Sequence, residues 1–254
     1  MFALERQKKI LELLKTDGAV WVSKLAVALD VTEETVRRDL EKLEKQSSLK
    51  RTHGGAVPAD EGTHELSLEV RKHTNVEAKK KLAGIALQFV DPGDTIFLDA
   101  STTTFFMAKE IKNMHNVTVI TNSLRIIAEL EGAENIKVIA IGGIVSQNQS
   151  FVGSNAENSI SENYFASKMF FSSKGIEENI GLMESNEGEC GIKRKMIKNS
   201  TKHFYICDKS KIGKIGFEKL ADFDIVDYFI TDAELDKSLK NKFDELGIEI
   251  IKEV

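Results

Sequence analysis

The sequence predicts an α/β protein in two parts, an N-terminal winged helix-turn-helix followed by a larger, mostly parallel α/β domain. Three observations predict it. Residues 19–57, AVWVSKLAVALDVTEETVRRDLEKLEKQSSLKRTHGGAV, read as a short helix, a tight turn, a second helix with paired arginines and a basic hairpin ending in Gly-Gly. From residue 75 onward, short β-rich runs alternate with helical segments. The 254 residues are enough for one small and one medium domain, each with its own core.

Composition bounds the reading further. Apolar residues make up 41% and charged residues 30%, ordinary for a soluble protein. No apolar run approaches the roughly 18 residues that cross a bilayer, so no membrane partner is expected. The first 15 residues are charged and amphipathic and lack the apolar stretch of a signal peptide, which places the chain in the cytoplasm. Cys190 and Cys207 lie far apart with no ligand cluster beside either, and read as reduced thiols rather than a disulfide or a metal site. The net charge of −5 hides an asymmetry, since residues 1–57 hold 11 Lys and Arg against 9 Asp and Glu, while the rest holds 24 against 31. A mildly basic head on an acidic body fits local contact with nucleic acid.

Taken in order, Leu4, Ile10, Leu11 and Leu14 predict a first helix over residues 3–15, ended by Asp17-Gly18. Residues 19–22 read as a short strand. Ser23 is placed as the cap of a helix carrying Leu25, Ala26 and Leu29. Asp30-Val31 makes the turn, and Thr32 caps the next helix, whose first turn holds Glu33 and Glu34 where the helix dipole favours negative charge. Val36, Leu40 and Leu43 fall on one buried face. That leaves Glu34, Thr35, Arg37, Arg38 and Lys42 on the flanks and outer side, the arrangement a recognition helix needs to present polar groups to base edges. Arg can pair two hydrogen bonds with guanine, which a point charge cannot. Residues 48–55, SLKRTHGG, read as a wing whose Lys50 and Arg51 meet phosphates, with glycines for the tight turn. His53 reads equally as a structural histidine or a phosphate contact. The candidate DNA-contacting set is Ser23, Thr32, Glu34, Thr35, Arg37, Arg38, Lys42, Lys50, Arg51 and His53.

Residues 58–74 are polar and read as a linker between a head over 1–57 and a body over 75–254. His64 and His73 have no metal-like spacing and read as solvated. A helix over 75–89 presents Leu82, Ile85, Ala86 and Phe89 to a core. Strand-like runs follow at 95–98, 117–120, 137–141, 168–171, 204–207, 228–230 and 248–251. Their alternation with helices argues for a mostly parallel sheet covered on both faces. In such sheets ligands sit beyond the carboxyl ends of the strands.

Polar residues stand where that rule looks for them. Asp99-Ala100-Ser101-Thr102-Thr103-Thr104 follows the first strand and leads into a helix near Phe105. Thr121-Asn122-Ser123 follows the second, Gly142-Gly143 and then Ser150-Phe151-Val152-Gly153 the third, and Asp208-Lys209-Ser210-Lys211 the strand at 204–207. Hydroxyls and amides at a helix start make an anion cradle. With Asp and Asn for sugar hydroxyls and Lys for charge, the loops suit a small phosphorylated polyol. Each loop alone is as well explained as a cap or a turn.

The run VSKLAVALDVTEETVRRDLEKLE with LKRTHGGA resembles the N-terminal domain of the DeoR family of bacterial regulators, most specifically in TVRRDL and R-x-H-G-G-A. Thr32 stands where family members usually carry Ser, and keeps the hydroxyl cap. D-x-S-T-T, V-T-V-I-T-N-S, G-G with S-F-V-G, E-C-x-x-K-x-x-M-I and D-K-S-K extend the resemblance along nearly the whole chain, and Arg71, Asn75 and Lys79 match the start of the family's body. The resemblance implies a sensor domain related in fold to ribose-5-phosphate isomerase and the CoA-transferase superfamily. It also implies a phosphorylated sugar or sugar intermediate that alters the grip on operator DNA. No cofactor or metal is expected, and a homo-oligomer, dimer or tetramer, is expected because two recognition helices fit adjacent major-groove turns. Carried over by position, the effector site involves Asp99, Ser101, Thr102, Thr103, Asn122, Lys193 and Lys211, with Thr104, Gly142, Gly143 and Asp208 in the same loops. Lys193, on a helix start in Gly191-Ile192-Lys193-Arg194-Lys195, reads equally as a solvated basic turn.

The expected function is therefore a sequence-specific DNA-binding transcription regulator, a repressor of a sugar-utilisation operon. The alternative is a sugar-phosphate isomerase or transferase carrying a DNA-binding head, with Asp99, Asp208, Glu187 and Glu189 as candidate acids and bases. No nucleophile elbow, metal motif or dinucleotide fingerprint supports it.

Overall fold

The computed structural model describes residues 2–17, 19–45, 48–52, 54–58 and 68–252. The chain divides into two compact units, Met1–His73 and Thr74–Val254.

The first unit contains α1 (Ala3–Asp17), β1 (Val20–Trp21), α2 (Val22–Leu29), α3 (Glu33–Lys45), β2 (Leu49–Thr52), β3 (Gly55–Pro58) and α4 (Leu68–His73). β3 pairs antiparallel with both β1 and β2, in the order β1-β3-β2. One cluster holds the unit together: Ile10 and Leu14 of α1, Leu25 and Leu29 of α2, Val36, Leu40 and Leu43 of α3, and Leu49 of β2. Asp30 takes the left-handed conformation, φ 51°, and makes the turn between α2 and α3. A side chain on Gly55 would collide with the Val20 carbonyl, so the closeness of β1 and β3 requires glycine there.

Three details depart from the expectation. Ser23 is not a cap: α2 starts one residue earlier, after Trp21, with no side-chain cap bond, and Ser23 lies exposed in its first turn. Leu4 is 82% exposed, because six residues of helix turn it well away from the Ile10 stripe. Leu68–His73 form a helix inside the stretch read as linker, and the His73 ring meets Trp21 edge-on at 6.0 Å. His53 and His64 lie outside the described residues.

The second unit runs α5 (Val76–Leu87), β4 (Thr95–Leu98), α6 (Thr102–Ile111), β5 (Val117–Thr121), α7 (Leu124–Glu129), β6 (Ile136–Ala140), β7 (Ile144–Val145), β8 (Phe151–Val152), α8 (Ser154–Asn163), β9 (Ala166–Phe171), β10 (Gly175–Glu177), β11 (Gly181–Glu184), α9 (Glu187–Lys198), β12 (Ser200–Cys207), β13 (Glu218–Ala221), β14 (Tyr228–Thr231), α10 (Lys237–Leu246) and β15 (Glu249–Ile251). All seven predicted strands join one sheet, ordered β15-β14-β12-β9-β4-β5-β6, and every neighbouring pair in it is parallel.

The two faces of that sheet are read off the alternation of its residues. Ile96, Leu98, Phe170, Phe204 and Ile206 face Leu82, Met107 and Ile111 of α5 and α6. Phe97, Phe171, Tyr205 and Phe229 face Ile160, Met196 and Phe243 of α8, α9 and α10. Both faces are thus buried, as a parallel sheet demands. The sequence did not predict the β7–β8 hairpin or the small antiparallel sheet β10-β11-β13. Helix α6 begins at Thr102 rather than near Phe105, and Lys193 sits mid-helix in α9 rather than at a helix start.

Candidate functional site

Helix α3 carries the first candidate surface. Thr32 caps it, its Oγ1 accepting from the Thr35 amide at 3.2 Å. Val36, Asp39, Leu40 and Leu43 face inward. Glu34, Arg38 and Lys42, four residues apart, form an outer row, and all three are exposed. Arg38 Nε donates to Glu34 at 3.2 Å, and Arg37 Nη2 donates to Glu33 at 2.6 Å. Both bonds are exposed i,i+4 pairs worth only a few tenths of a kcal/mol, so DNA can displace them cheaply. Thr35 is half-buried.

On the wing, Lys50 is exposed. Arg51 is committed to the helix: its amide and Nε both donate to Glu44, at 2.8 and 2.6 Å. The guanidinium holds the Glu44 carboxyl below its ordinary range. Arg51 therefore fastens the wing to the end of α3 as well as facing solvent.

The sequence reasoning missed Asp39. It is buried on α3, accepts from Arg6 Nε at 2.5 Å and from Gln7 Nε2 at 2.9 Å, and so ties α3 to α1. A charged residue in register with the apolar stripe was the available signal.

In the second unit the predicted loops all stand at the carboxyl end of the sheet, after β4, β5, β6 and β12. Asp99 is fully buried. Its Oδ1 accepts from the Ser101 amide at 3.1 Å and Thr104 Oγ1 at 2.8 Å, and its Oδ2 from the Ser172 amide at 3.1 Å. Ser101 caps α6, accepting from the Thr104 amide at 3.2 Å. Thr102, Thr103 and Thr104 are buried in the helix's first turn.

Lys193 is buried, which removes the solvated-turn reading. Its Nζ donates to the Ser172 carbonyl at 2.7 Å and to Glu184, and lies 3.2 Å from Asp99 Oδ2. Burial alone favours the neutral amine, but Glu184, Asp99 and Glu189 outweigh it and raise the pKa above the ordinary lysine range. One helical turn away, Glu189 accepts from Ser150, whose hydroxyl also pairs with Ser146 at 2.7 Å. Burial pushes the Glu189 carboxyl above its ordinary range, against the opposing pull of Lys193 and Ser150.

Asn122, fully buried, donates from Nδ2 to the Phe151 carbonyl at 3.0 Å, while the Phe151 amide donates back to the Asn122 carbonyl at 2.8 Å. Gly142 and Gly143 are exposed, and a side chain on Gly143 would strike the Val152 carbonyl, so that turn closes onto the same stretch. Lys211 also reaches Ser172, donating to its Oγ at 2.6 Å and to the Ser173 carbonyl at 2.7 Å. Asp208 is buried and accepts from Asn75 Nδ2 at 3.0 Å and the Ser210 amide at 3.1 Å. Burial opposes its charge, yet Lys211, Ser210 and Lys79 hold its carboxyl below the ordinary range.

The loops at Asp99 and Lys211 thus meet on Ser172. Among the described residues, no group of His, Cys, Asp and Glu is arranged to hold a metal. Cys190 and Cys207 are free thiols, buried, with pKa pushed to about 12, so neither is a nucleophile at neutral pH.

Residues 6–61 match the model of the DeoR-like helix-turn-helix domain, and residues 74–233 match that of the DeoR C terminal sensor domain. YulB, an HTH-type transcriptional regulator of Bacillus subtilis strain 168, is 42% identical over 247 residues, 95% of each chain. The chain belongs to the DeoR family. This DeoR-family protein is also 34% identical to the lactose phosphotransferase system repressor of Streptococcus mutans, over 95% of its own length and 98% of that protein's. A ribose 5-phosphate isomerase A from Methanocaldococcus jannaschii is similar in structure with a TM-score of 0.43 and 19% identity, over 56% of each chain.

As a DeoR-family transcriptional regulator the protein binds DNA through its helix-turn-helix. Sequence reasoning had placed Ser150 in one of the strand-end loops, but not Ser172, Ser173 or Glu184 at the sensor's polar cluster. The one weak signal was the pair of small hydroxyl residues, Ser172-Ser173, directly after the strand at 168–171; Glu184 had none.

Proposed function

We propose that this regulator represses a sugar-utilisation operon and that a phosphorylated sugar, bound at the carboxyl end of the sheet, changes its hold on operator DNA. Residues 1–57 act as the DNA-binding head, 58–74 as the connection and 75–254 as the sensor. The protein works in the cytoplasm as a homo-oligomer, because two-fold operators are read by paired recognition helices in successive major-groove turns.

The observation that carries the reading is the outward row Glu34-Arg38-Lys42 on a helix capped by Thr32 and held by Val36, Leu40 and Leu43. Thr35 and Arg37 flank the row, and Lys50 supplies a wing cation. The sensor's role is supported by Asp99, Ser101, Thr102, Thr103, Asn122, Lys193, Asp208 and Lys211 converging on one end of the sheet.

We propose further that the sensor binds without turnover. Lys193, the one lysine inside the carboxylate cluster, is held protonated and has its donors engaged by Ser172, Glu184 and Asp99, so it supplies neither a base nor a nucleophile.

A mobility-shift titration with the promoter DNA of the regulated operon tests the head. Arg38→Ala is expected to cost about 1–3 kcal/mol of specific binding while leaving binding to unrelated DNA nearly unchanged. Unaltered operator affinity removes Arg38 as a reader. Incubating the protein with phosphorylated sugars tests the sensor: saturable binding without product supports it, and turnover overturns the non-enzymatic reading.

A further inference from the structure

We propose that the turn at 208–211 carries the state of the effector cluster to the point where the chain enters the sensor, and that Asn75 and Lys79 are the positioning residues that make the link. This rests on the sugar-phosphate reading above and supplies the step which that reading lacks, how occupancy of the site reaches the operator.

Two residues at the start of α5 act against the interest of their own helix. Asn75 is its N-cap, and an asparagine there ordinarily accepts from the helix's first amides. Asn75 instead takes the left-handed conformation, φ 52°, and makes no such bond. Its Nδ2 donates to Asp208 Oδ1 at 3.0 Å and to Ser210 Oγ at 2.9 Å, 133 and 135 residues further along the chain. Lys79 is a cation near the N-terminus of α5, where the helix dipole disfavours it, and it is buried as well. Its Nζ donates to the Thr74 carbonyl at 2.7 Å. Burial opposes the Asp208 charge, and Lys211, Ser210 and Lys79 together hold its carboxyl below the ordinary range.

Thr74 and Asn75 are the first two residues of the second unit, so both side chains are spent where the chain arrives from the first. His73, the residue before them, meets the Trp21 ring within the first unit. The chain is restrained on either side of Thr74.

The far end of the turn reaches the effector cluster. Lys211 Nζ donates to Ser172 Oγ and the Ser173 carbonyl, while the Ser172 amide donates to Asp99 and its carbonyl accepts from Lys193. Asp208 and Lys211 move together, because the Lys211 amide donates to the Asp208 carbonyl at 3.0 Å and the Ser210 amide to the Asp208 carboxylate at 3.1 Å. An anion that draws the Lys211 ammonium off the two serines loads the same turn that holds Asn75. Ligand binding and the restraint on Asn75 then bias one equilibrium, which is what a coupling between two sites requires.

The test uses the full chain and an operator duplex that the protein selects from a random-sequence library. Anisotropy titrations give operator affinity with and without each member of a panel of phosphorylated aldoses, ketoses and alditols, and isothermal titration gives the affinity for the same compounds without DNA. Wild-type protein is expected to show a coupling factor of roughly 5- to 150-fold with at least one compound. Asn75→Gly is expected to cut that factor about five- to tenfold, or to one where it is smaller, with affinity for the compound alone within about threefold of wild type. Glycine enters the left-handed region freely, so this variant removes the amide and leaves the backbone. Lys79→Met, which removes the cation and keeps an unbranched stem, is expected to act in the same direction. A merely structural role lowers the melting temperature and leaves the coupling factor untouched. A wild-type factor in folded Asn75→Gly, or in folded Lys79→Met should the first variant fail to fold, overturns the inference. So does a loss of affinity for the compound as large as the loss of coupling, which makes Asn75 part of the binding site instead. If no compound changes operator affinity in the wild type, the sensor reading itself fails, and the inference with it.

Discussion

A lysine survives in a parallel-sheet core only where carboxylates meet it, and those that meet Lys193 come from the end of β4 and the end of β11, with Glu189 a turn away on its own helix. The arrangement leaves Glu189 as the strained member. Burial dominates there and lifts its carboxyl above the usual value of 4.5, despite Lys193 and Ser150. A pKa that is higher in the folded state means that folding favours the protonated form. The contribution to stability is then full below about pH 4.5 and is lost as pH rises through the folded value. Ionised Glu189 therefore works against folding at neutral pH. Glu189→Gln is expected to raise the melting temperature at pH 8, with the gain fading toward pH 4, as calorimetry across that range would show. A variant less stable than wild type at pH 8 contradicts this account.

Between elements, the connection with the largest consequence is Arg6 to Asp39, because it joins α1 to the helix that presents Arg38. Both charges are buried, so breaking the pair by removing one partner costs about 3–5 kcal/mol. Arg6→Met and Asp39→Leu are each expected to destabilise the first unit by that order, and the double variant by less than either single. Urea unfolding followed by the fluorescence of Trp21, the chain's single tryptophan, reports the first unit selectively. Additive losses show that the pair is not coupled. Periodicity revealed the apolar stripe of α3 and all seven strands of the large sheet, because β-branched and aromatic runs such as 117–120 and 204–207 are buried on both faces. It did not reveal β10, β11 and β13, whose runs GIE, GLME and EKLA are broken by glycine and charge and lack the β-branched or aromatic stretch that marks the others. Nor did it reveal Asp39 or Lys193 as buried, since a charge becomes tolerable inside only through partners distant in sequence. The candidate loops at Asp99, Asn122 and Asp208 were legible because the carboxyl ends of parallel strands are where such loops gather. Ser172, which joins them, offered only the weak signal of a hydroxyl pair after a strand, and Glu184 offered none.

At the scale of the molecule, each apolar cluster among the described residues lies within one unit: Ile10, Val36, Leu40 and Leu43 belong to the first, and the cores above and below the seven-stranded sheet to the second. A unit with its own closed core can fold without its neighbour. Residues Thr74–Val254 expressed alone are therefore expected to fold and to retain the sugar-phosphate affinity of the full chain, indifferent to added operator. Residues Met1–His73 alone are expected to bind operator DNA with no response to the sugar. In the full chain the two activities become linked, and linkage is reciprocal. The factor by which a sugar phosphate changes operator affinity must equal the factor by which operator changes sugar affinity. Such couplings run at about 1–3 kcal/mol, or roughly 5- to 150-fold, large enough to read in paired titrations. Unequal factors at equilibrium indicate that a third species, most simply a change in oligomer size, participates in one titration and not the other. A response to sugar in the isolated first unit would place the ligand outside the cluster at Asp99, Asn122 and Lys193.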